Sequence, residues 1–302
     1  MSWSRRGLLG GLAALCVAGG RGAEAGHRRV MVLHSRADRR ERTIAEAFRR
    51  QLPDVGVVTL DLGTQPAAAR GLSPRLDRLD IDVVLALGEL AGRVAARSSG
   101  SQQVLLVDPP QTGGPITRPH THTLRPVPDP EAALLRLADC LRPLDTLGLI
   151  RTPATASTVA RVAEAGRAVG LRVVVDSAKS PAELAAVSES LLRGTQLLWL
   201  FRDENVLPAD TLAQVQRAAA THGRALATWS PAHLTGRAPA LLAVHVGPSG
   251  HGEAAGLRAR AWLAGQSTQG PAEVGPLISG HIEGLAALGY SRRRLEGLAS
   301  VR

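Results

Sequence analysis

Between residues 145 and 230 apolar and polar positions come in blocks. Unbroken apolar runs, TLGLI (146–150), LRVVV (171–175), LLWLF (197–201) and ALATW (225–229), alternate with Ala-rich stretches of helical spacing. Gly170, Gly194 and Gly223 sit where those helices should stop, because glycine enters the left-handed conformation without steric cost. Strands that are apolar on both faces and alternate with helices predict a parallel sheet covered on both sides. Such open sheets bind ligands just outside the carboxyl ends of their strands. Here those ends carry Arg151 and Thr152, Asp176 and Ser177, Arg202 and Asp203, and Trp229 and Ser230.

A first set of units precedes these. RVMVL (29–33) predicts a strand ending at His34-Ser35-Arg36, and a helix through Glu41–Gln51 turns Ile44, Ala47 and Phe48 inward. VGVVTLDL (55–62), DVVLALG (82–88) and QVLLVD (103–108) predict three more strands, with a helix through Leu90–Arg97. Proline-rich residues 109–129 interrupt the pattern, and TLRPV (123–127) reads as an extended edge or a crossover. A helix over Pro130–Leu141 leads into the second set, where Ser180, Pro181 and Glu183 form a capping box. After Trp229 come ALLAVHVG (240–247), a helix over Ala254–Leu263, a linker-like segment 266–276, and a tail with a further strand or short helix. The fold class expected is α/β: two Rossmann-like lobes with parallel sheets joined by hinge strands. Residues 26–125 plus about 246–266 make lobe 1, residues 126–245 make lobe 2, and 267–302 pack on the lobes or hinge.

Composition narrows the function. The chain has 302 residues and 44% apolar content, enough for globular domains with sizeable cores. Its net charge of +10 is almost all arginine, since Lys179 is the only lysine. Neither a run of five basic residues nor basic–aromatic interleaving is present, which argues against nucleic acid. Residues 1–25 read as a secretory signal, with Arg5-Arg6, an apolar run over Gly7–Gly20, and an A-x-A cleavage site at Ala23-Glu24-Ala25. Ser4-Arg5-Arg6-Gly7-Leu8-Leu9 also resembles a twin-arginine signal. Export to the periplasm with cleavage near Ala25 is therefore expected. Cys16 falls within the signal, which leaves Cys140 as a lone buried thiol.

Several phrases together resemble one family. DVVLALGELAGRVAA (82–96), LLVDPPQTGG (105–114), DTLGLIRTPATASTVARVAEAGRAVGLRVV (145–174), LLWLFRDENVLPADTLAQV (197–215), ALLAVHVGPSGHGEAAGLRARAWLAGQ (240–266) and ISGHIEGLAALGY (278–290) are similar, in order, to segments of the ABC transporter substrate-binding proteins, including tryptophan- and tyrosine-binding members. The resemblance implies a type I periplasmic binding protein fold, hinge closure on a small solute, no catalysis and no cofactor. It also implies a monomer that partners the membrane permease and ATPase of an ABC importer. Ile278-Ser279-Gly280 stands where the family has a tail asparagine, and aromatics are few, so the solute is left as amino-acid-like or anionic.

The expected ligand residues are Ser35, Arg36, Gly88, Glu89 and Asp108 in the first lobe, with Thr152, Arg202, Asp203 and Trp229 in the second. Arg202 suits bidentate pairing with an anion, Asp203 or Glu204 suits an amine, and Trp229 can stack on a flat or cationic group. Read singly, each is equally a cap or a loop residue; their joint position at strand ends points to a site. His120 and His122 would share a strand face but have no third metal ligand at a matching spacing. The glycine-rich Gly247–Gly252 reads as a turn at the lobe crossover. No nucleophile elbow, H-E-x-x-H or facing carboxylate pair occurs, so the chain is not expected to be an enzyme. A sensory or accessory binding protein of the same fold, working with a membrane receptor or kinase, is the alternative.

Overall fold

The computed structural model describes residues 29–63, 69, 71–98, 100–107, 119–267 and 272–300; the expected signal segment 1–25 and Asp108 lie outside them. Two parallel sheets dominate. The first has strand order β2-β1-β3-β4-β5, built from β1 (Arg29–His34), β2 (Gly56–Asp61), β3 (Val83–Leu87), β4 (Gln103–Val107) and β5 (Thr121–Thr123). The second has order β14-β13-β11-β10-β9-β7-β8, from β7 (Thr146–Arg151), β8 (Arg172–Ser177), β9 (Leu197–Trp199), β10 (Ala225–Thr228), β11 (Leu242–His245), β13 (Leu277–Gly280) and β14 (Ala299–Ser300). Its one antiparallel pair is β11–β13.

Both faces of each sheet are covered, as apolar strands require. On the first sheet Val30 and Val32 face α1 (Arg39–Arg50) and α8 (Pro248–Leu263), while Met31 and Leu33 face α2 (Ser73–Leu76) and α3 (Gly88–Ala96). On the second, Leu147 and Leu149 face α4 (Pro130–Cys140) and α5 (Ala156–Ala168). Ile150 and Leu198 face α6 (Pro181–Gly194) and α7 (Ala209–His222). The tail completes the α4–α5 side: Leu285 of α9 (Ile282–Ala287) and Leu295 of α10 (Arg292–Leu295) are buried in that core.

Gly170 and Gly223 take the left-handed conformation expected, at φ +86° and +59°. Gly194 does not: it stays in α6, and Thr195 leaves the helix in an extended conformation while its hydroxyl bonds the Leu191 carbonyl. Ser180 caps α6 by accepting from Glu183 N at 3.3 Å, and Glu183 reaches back to Lys179 N.

A second difference concerns Gly247–Gly252. Pro248 starts α8, so most of this segment is helix rather than turn. The reason is packing: a Cβ at Gly252 would run into the Ile44 carbonyl oxygen, and one at Gly256 into the Gln51 side chain. Glycines four residues apart let α8 lie directly on the backbone of α1.

The chain passes between the sheets three times, at residues 124–130, at 245–248, and between α8 and β13, where residues 264–267 and 272–277 are described. Two of these passages pair with each other, as β6 (Val127–Pro128) runs parallel to β12 (Glu273–Val274). Arg161 of α5 ties the ladder down, bonding Glu131 at 2.9 Å and Glu273 at 2.6 Å.

Candidate functional site

In the first sheet the chain leaves β1 toward β2 on one side, then returns to β3 on the other. The two connections diverge, leaving a crevice between the carboxyl ends of β1 and β3. In the second sheet β8 and β9 flank β7 in the same way, so a matching crevice opens between β7 and β9. Of the expected site residues, Ser35, Arg36, Gly88 and Glu89 lie at the first crevice, and Thr152, Arg202 and Asp203 at the second. Trp229 follows the neighbouring strand β10.

At the first crevice Ser35 is buried and bridges the two strands: its hydroxyl donates to Leu87 O at 2.7 Å and accepts from Ala91 N at 2.9 Å, bonding the first turn of α3. Gly88 opens that helix at φ +80°, where a Cβ would lie 2.7 Å from Glu41 Oε1 and 2.8 Å from Ser35 Oγ. Glu41, in the first turn of α1, is buried. Its Oε2 accepts from Arg36 N at 3.1 Å and Ala37 N at 2.9 Å, and meets His34 Nδ1 at 3.3 Å. Asp38 caps the same helix by accepting from Glu41 N. Glu89 and Arg93 form an exposed i,i+4 ion pair.

At the second crevice the buried carboxylate is Asp203. Its Oδ1 accepts from Asn205 N at 3.0 Å and Val206 N at 3.2 Å, and the nearby Thr152 hydroxyl and Ala154 amide further favour its charged form. Asp203 thereby stitches the loop after β9 to the loop after β7. Burial alone would raise its pKa, but these four donors outweigh burial and hold the carboxyl below the usual range. Thr152 and Thr155, both buried, share a hydroxyl–hydroxyl bond of 3.0 Å.

Exposed groups stand around these fixed ones. Arg202 pairs with Glu204, and Arg151 donates to Ser177 Oγ. Trp229 meets the His233 ring edge-on at 4.8 Å, and His233 Nδ1 is enclosed without a hydrogen-bond partner. Burial lowers the His233 pKa, favouring the neutral imidazole. Among the described residues no group of three or more His, Cys, Asp or Glu can hold a metal ion. His122 instead packs on Trp262 at 4.9 Å.

Residues 41, 34 and 155 did not stand out from the sequence. The available signal for Glu41 was Asp38-x-x-Glu41 at a helix start, a pattern that announces a cap; that the carboxylate would turn toward β3 depended on Gly88, which lies 47 positions further on. A cavity of about 460 Å³ opens at the opposite, amino edge of the first sheet, beside Asp77, Asp82 and Trp262. Of its three lining carboxylates, Asp77 accepts from Gly100 N and Asp82 from Arg29 N, and Asp80 stands between them.

No protein-family model and no curated protein matches the chain. Solved structures do. The ligand-free, open structure of a substrate-binding protein with adhesive properties from Clostridium difficile is 14% identical, with 91% of this chain and 99% of that one covered and a TM-score of 0.52. The ABC domain from Streptococcus pneumoniae in complex with L-Trp is 15% identical, with 92% and 100% covered and a TM-score of 0.48. A periplasmic ribose ABC transporter structure from Conexibacter woesei is 14% identical, with 91% and 99% covered and a TM-score of 0.40. At these identities the likeness concerns architecture. With its two Rossmann-like sheets of matching strand order and its three hinge passages, the chain has the type I periplasmic binding protein fold.

Proposed function

We propose that this chain is an exported solute-binding protein that captures a small amino-acid-like or anionic solute between its two lobes for an ABC importer, without chemistry of its own. The observation that carries this reading is the duplication of the switch point. Each sheet presents one crevice at its carboxyl edge, and the paired β6–β12 passages give the lobes a common hinge. A solute touching both crevices favours the closed state by its extra contacts there. Arg36 and Arg202 would take the anionic part of the solute and Trp229 its flat or apolar part, on walls held in shape by Ser35, Gly88, Thr152 and Asp203. Glu89 lies at the rim, and Asp108 at the end of the fourth strand belongs to the same proposed set.

The test is small-angle scattering on the mature protein, combined with a thermal-shift screen of amino acids, dicarboxylates and phosphorylated metabolites. A solute that binds only the native state raises the melting temperature, and the same solute should reduce the radius of gyration. Stabilisation without compaction would count against hinge closure; the absence of any stabilising solute would count against the binding reading.

A further inference from the structure

The second passage between the sheets has a histidine at each end. His245 closes β11 on the side of the second lobe, and His251 stands in the first turn of α8 on the side of the first. Both rings bond the short backbone between them: His245 Nδ1 lies 3.4 Å from Val246 O, and His251 Nδ1 lies 3.0 Å from Gly247 O. A carbonyl oxygen only accepts, so both Nδ1 atoms carry the proton of a neutral ring. His245 Nε2 is then a lone pair, and it accepts from Ser279 Oγ at 2.9 Å. Ser279 belongs to β13, the strand that the third passage enters, so His245 ties two passages together.

The charges around this pair oppose a second proton on either ring. From α1, Arg40 acts on His251 and Arg50 donates to Ser249 Oγ at 3.2 Å. From α4, Arg136 donates to Pro276 O at 2.8 Å in the third passage. Glu273 on β12 is taken by Arg161, and Glu253 follows His251 at about 200° round the helix. The amino end of α8 adds the positive end of its dipole beside His251. Burial above all holds both imidazoles below their ordinary pKa; Arg40 adds to this at His251, and His251 at His245. A proton on His245 Nε2 would also face the buried Ser279 hydroxyl, which makes no other hydrogen bond among the described residues.

The passage has little slack in which to absorb that change. A Cβ at Gly247 would lie 3.0 Å from Leu277 Cδ2, and one at Gly250 2.8 Å from Val246 Cγ1. A ring that gains a proton must turn out toward water, and its backbone bond goes with it. We propose that His245 and His251 make the second passage an acid-sensitive hinge, held while both rings are neutral and loosened when they are protonated. This rests on the reading of the passages as a hinge for closure on a solute. Both rings titrate below the unfolded value of about 6.5. The restraint is therefore complete above that value and is lost as pH falls through the folded ones.

The test is hydrogen exchange on the unliganded mature protein, corrected for the intrinsic pH dependence of exchange. Protection of amides 245–251 should fall about tenfold between about pH 7.5 and about pH 5, while β7 and β9 keep theirs. The double variant His245→Gln/His251→Asn leaves an acceptor for Ser279 and a donor for Gly247 O, and neither amide titrates. It should keep the neutral-pH protection and lose the acid response. Protection of 245–251 that ignores pH, an acid response that persists in the double variant, or a fall spread evenly over both lobes would each overturn the switch. Should the double variant fold poorly, the residue-by-residue profile of the native protein decides by itself. A solute that compacts the protein in scattering while protection of 245–251 ignores pH would sink the switch and leave the cleft standing. If no solute compacts the protein at either pH, the closure reading fails, and the role of the switch in closure with it.

Discussion

The two crevices share a topology and differ in how they employ their buried acid. In the second, Asp203 accepts from two amides of its own loop, and the Thr152 hydroxyl and Ala154 amide of the loop after β7 help to favour its charged form. In the first, Glu41 joins the His34–Asp38 loop to α1 through Oε2, and its Oε1 packs against Gly88. One acid links the loops of two neighbouring strands, while the other fixes one loop to the helix that follows it. Equivalent positions in a duplicated architecture therefore need not carry equivalent roles, and the elements each acid joins tell them apart. The lobes also differ in how they are covered. Helices flanking its own strands cover the second sheet, whereas the first borrows α8 from beyond β11.

The sharpest way to break this contrast is Asp203→Ala. It strands the amides of residues 205 and 206 and loosens the Thr152 side of the crevice, and should cost about 3 kcal/mol in urea unfolding. Glu41→Ala loosens one loop and should cost about half as much; an equal or larger loss would erase the distinction between the two acids. Between these in size is Gly252→Ala, which forces α8 away from the Ile44 carbonyl. It should cost about 2 kcal/mol, with protease sensitivity appearing first in the Arg39–Arg50 helix and not in the second lobe.

The acid limb of the stability curve reports on Asp203. The Asp203 carboxyl has a folded pKa below its unfolded value of about 4. Its contribution is thus complete above that unfolded value and is lost as pH falls through the folded one. Asp203→Asn should flatten that part of the pH–stability curve. The smallest effect expected is that of Arg161→Met. This exposed hinge residue bonds Glu131 and Glu273, and the difference from native should disappear on raising salt to about 0.5 M. A difference that persists in salt would indicate packing rather than charge.

The layers were legible in the sequence because a strand buried on both faces leaves an unbroken apolar run, as in RVMVL and TLGLI. Strand order was not, since the β2-β1-β3 arrangement depends on which way each crossover turns, and no local pattern records that. Glycine-rich 247–252 looks like a turn for a related reason: at Gly252 and Gly256 the residue serves close helix contact, a tertiary demand that composition alone does not distinguish from a turn. β12 lies hidden inside a stretch with linker composition, where two residues suffice once β6 offers a partner. At the candidate site, position marks Ser35, Gly88 and Asp203 at strand ends, but no local pattern shows that Glu41 is buried against Gly88, a neighbour 47 positions away.

The returning helix α8 also orders events in time. Ala254, Ala255, Ala259 and Leu263 are buried against Ile44 and Phe48, so the first lobe cannot close its core until residue 263 has been synthesised. A nascent chain shorter than that keeps the α1 side of its leading lobe uncovered, while β7–β10 and their helices already form a contiguous block. The lobe made first is thus the one finished late: its α1 face waits for a helix that lies beyond nearly the whole of the second lobe in sequence.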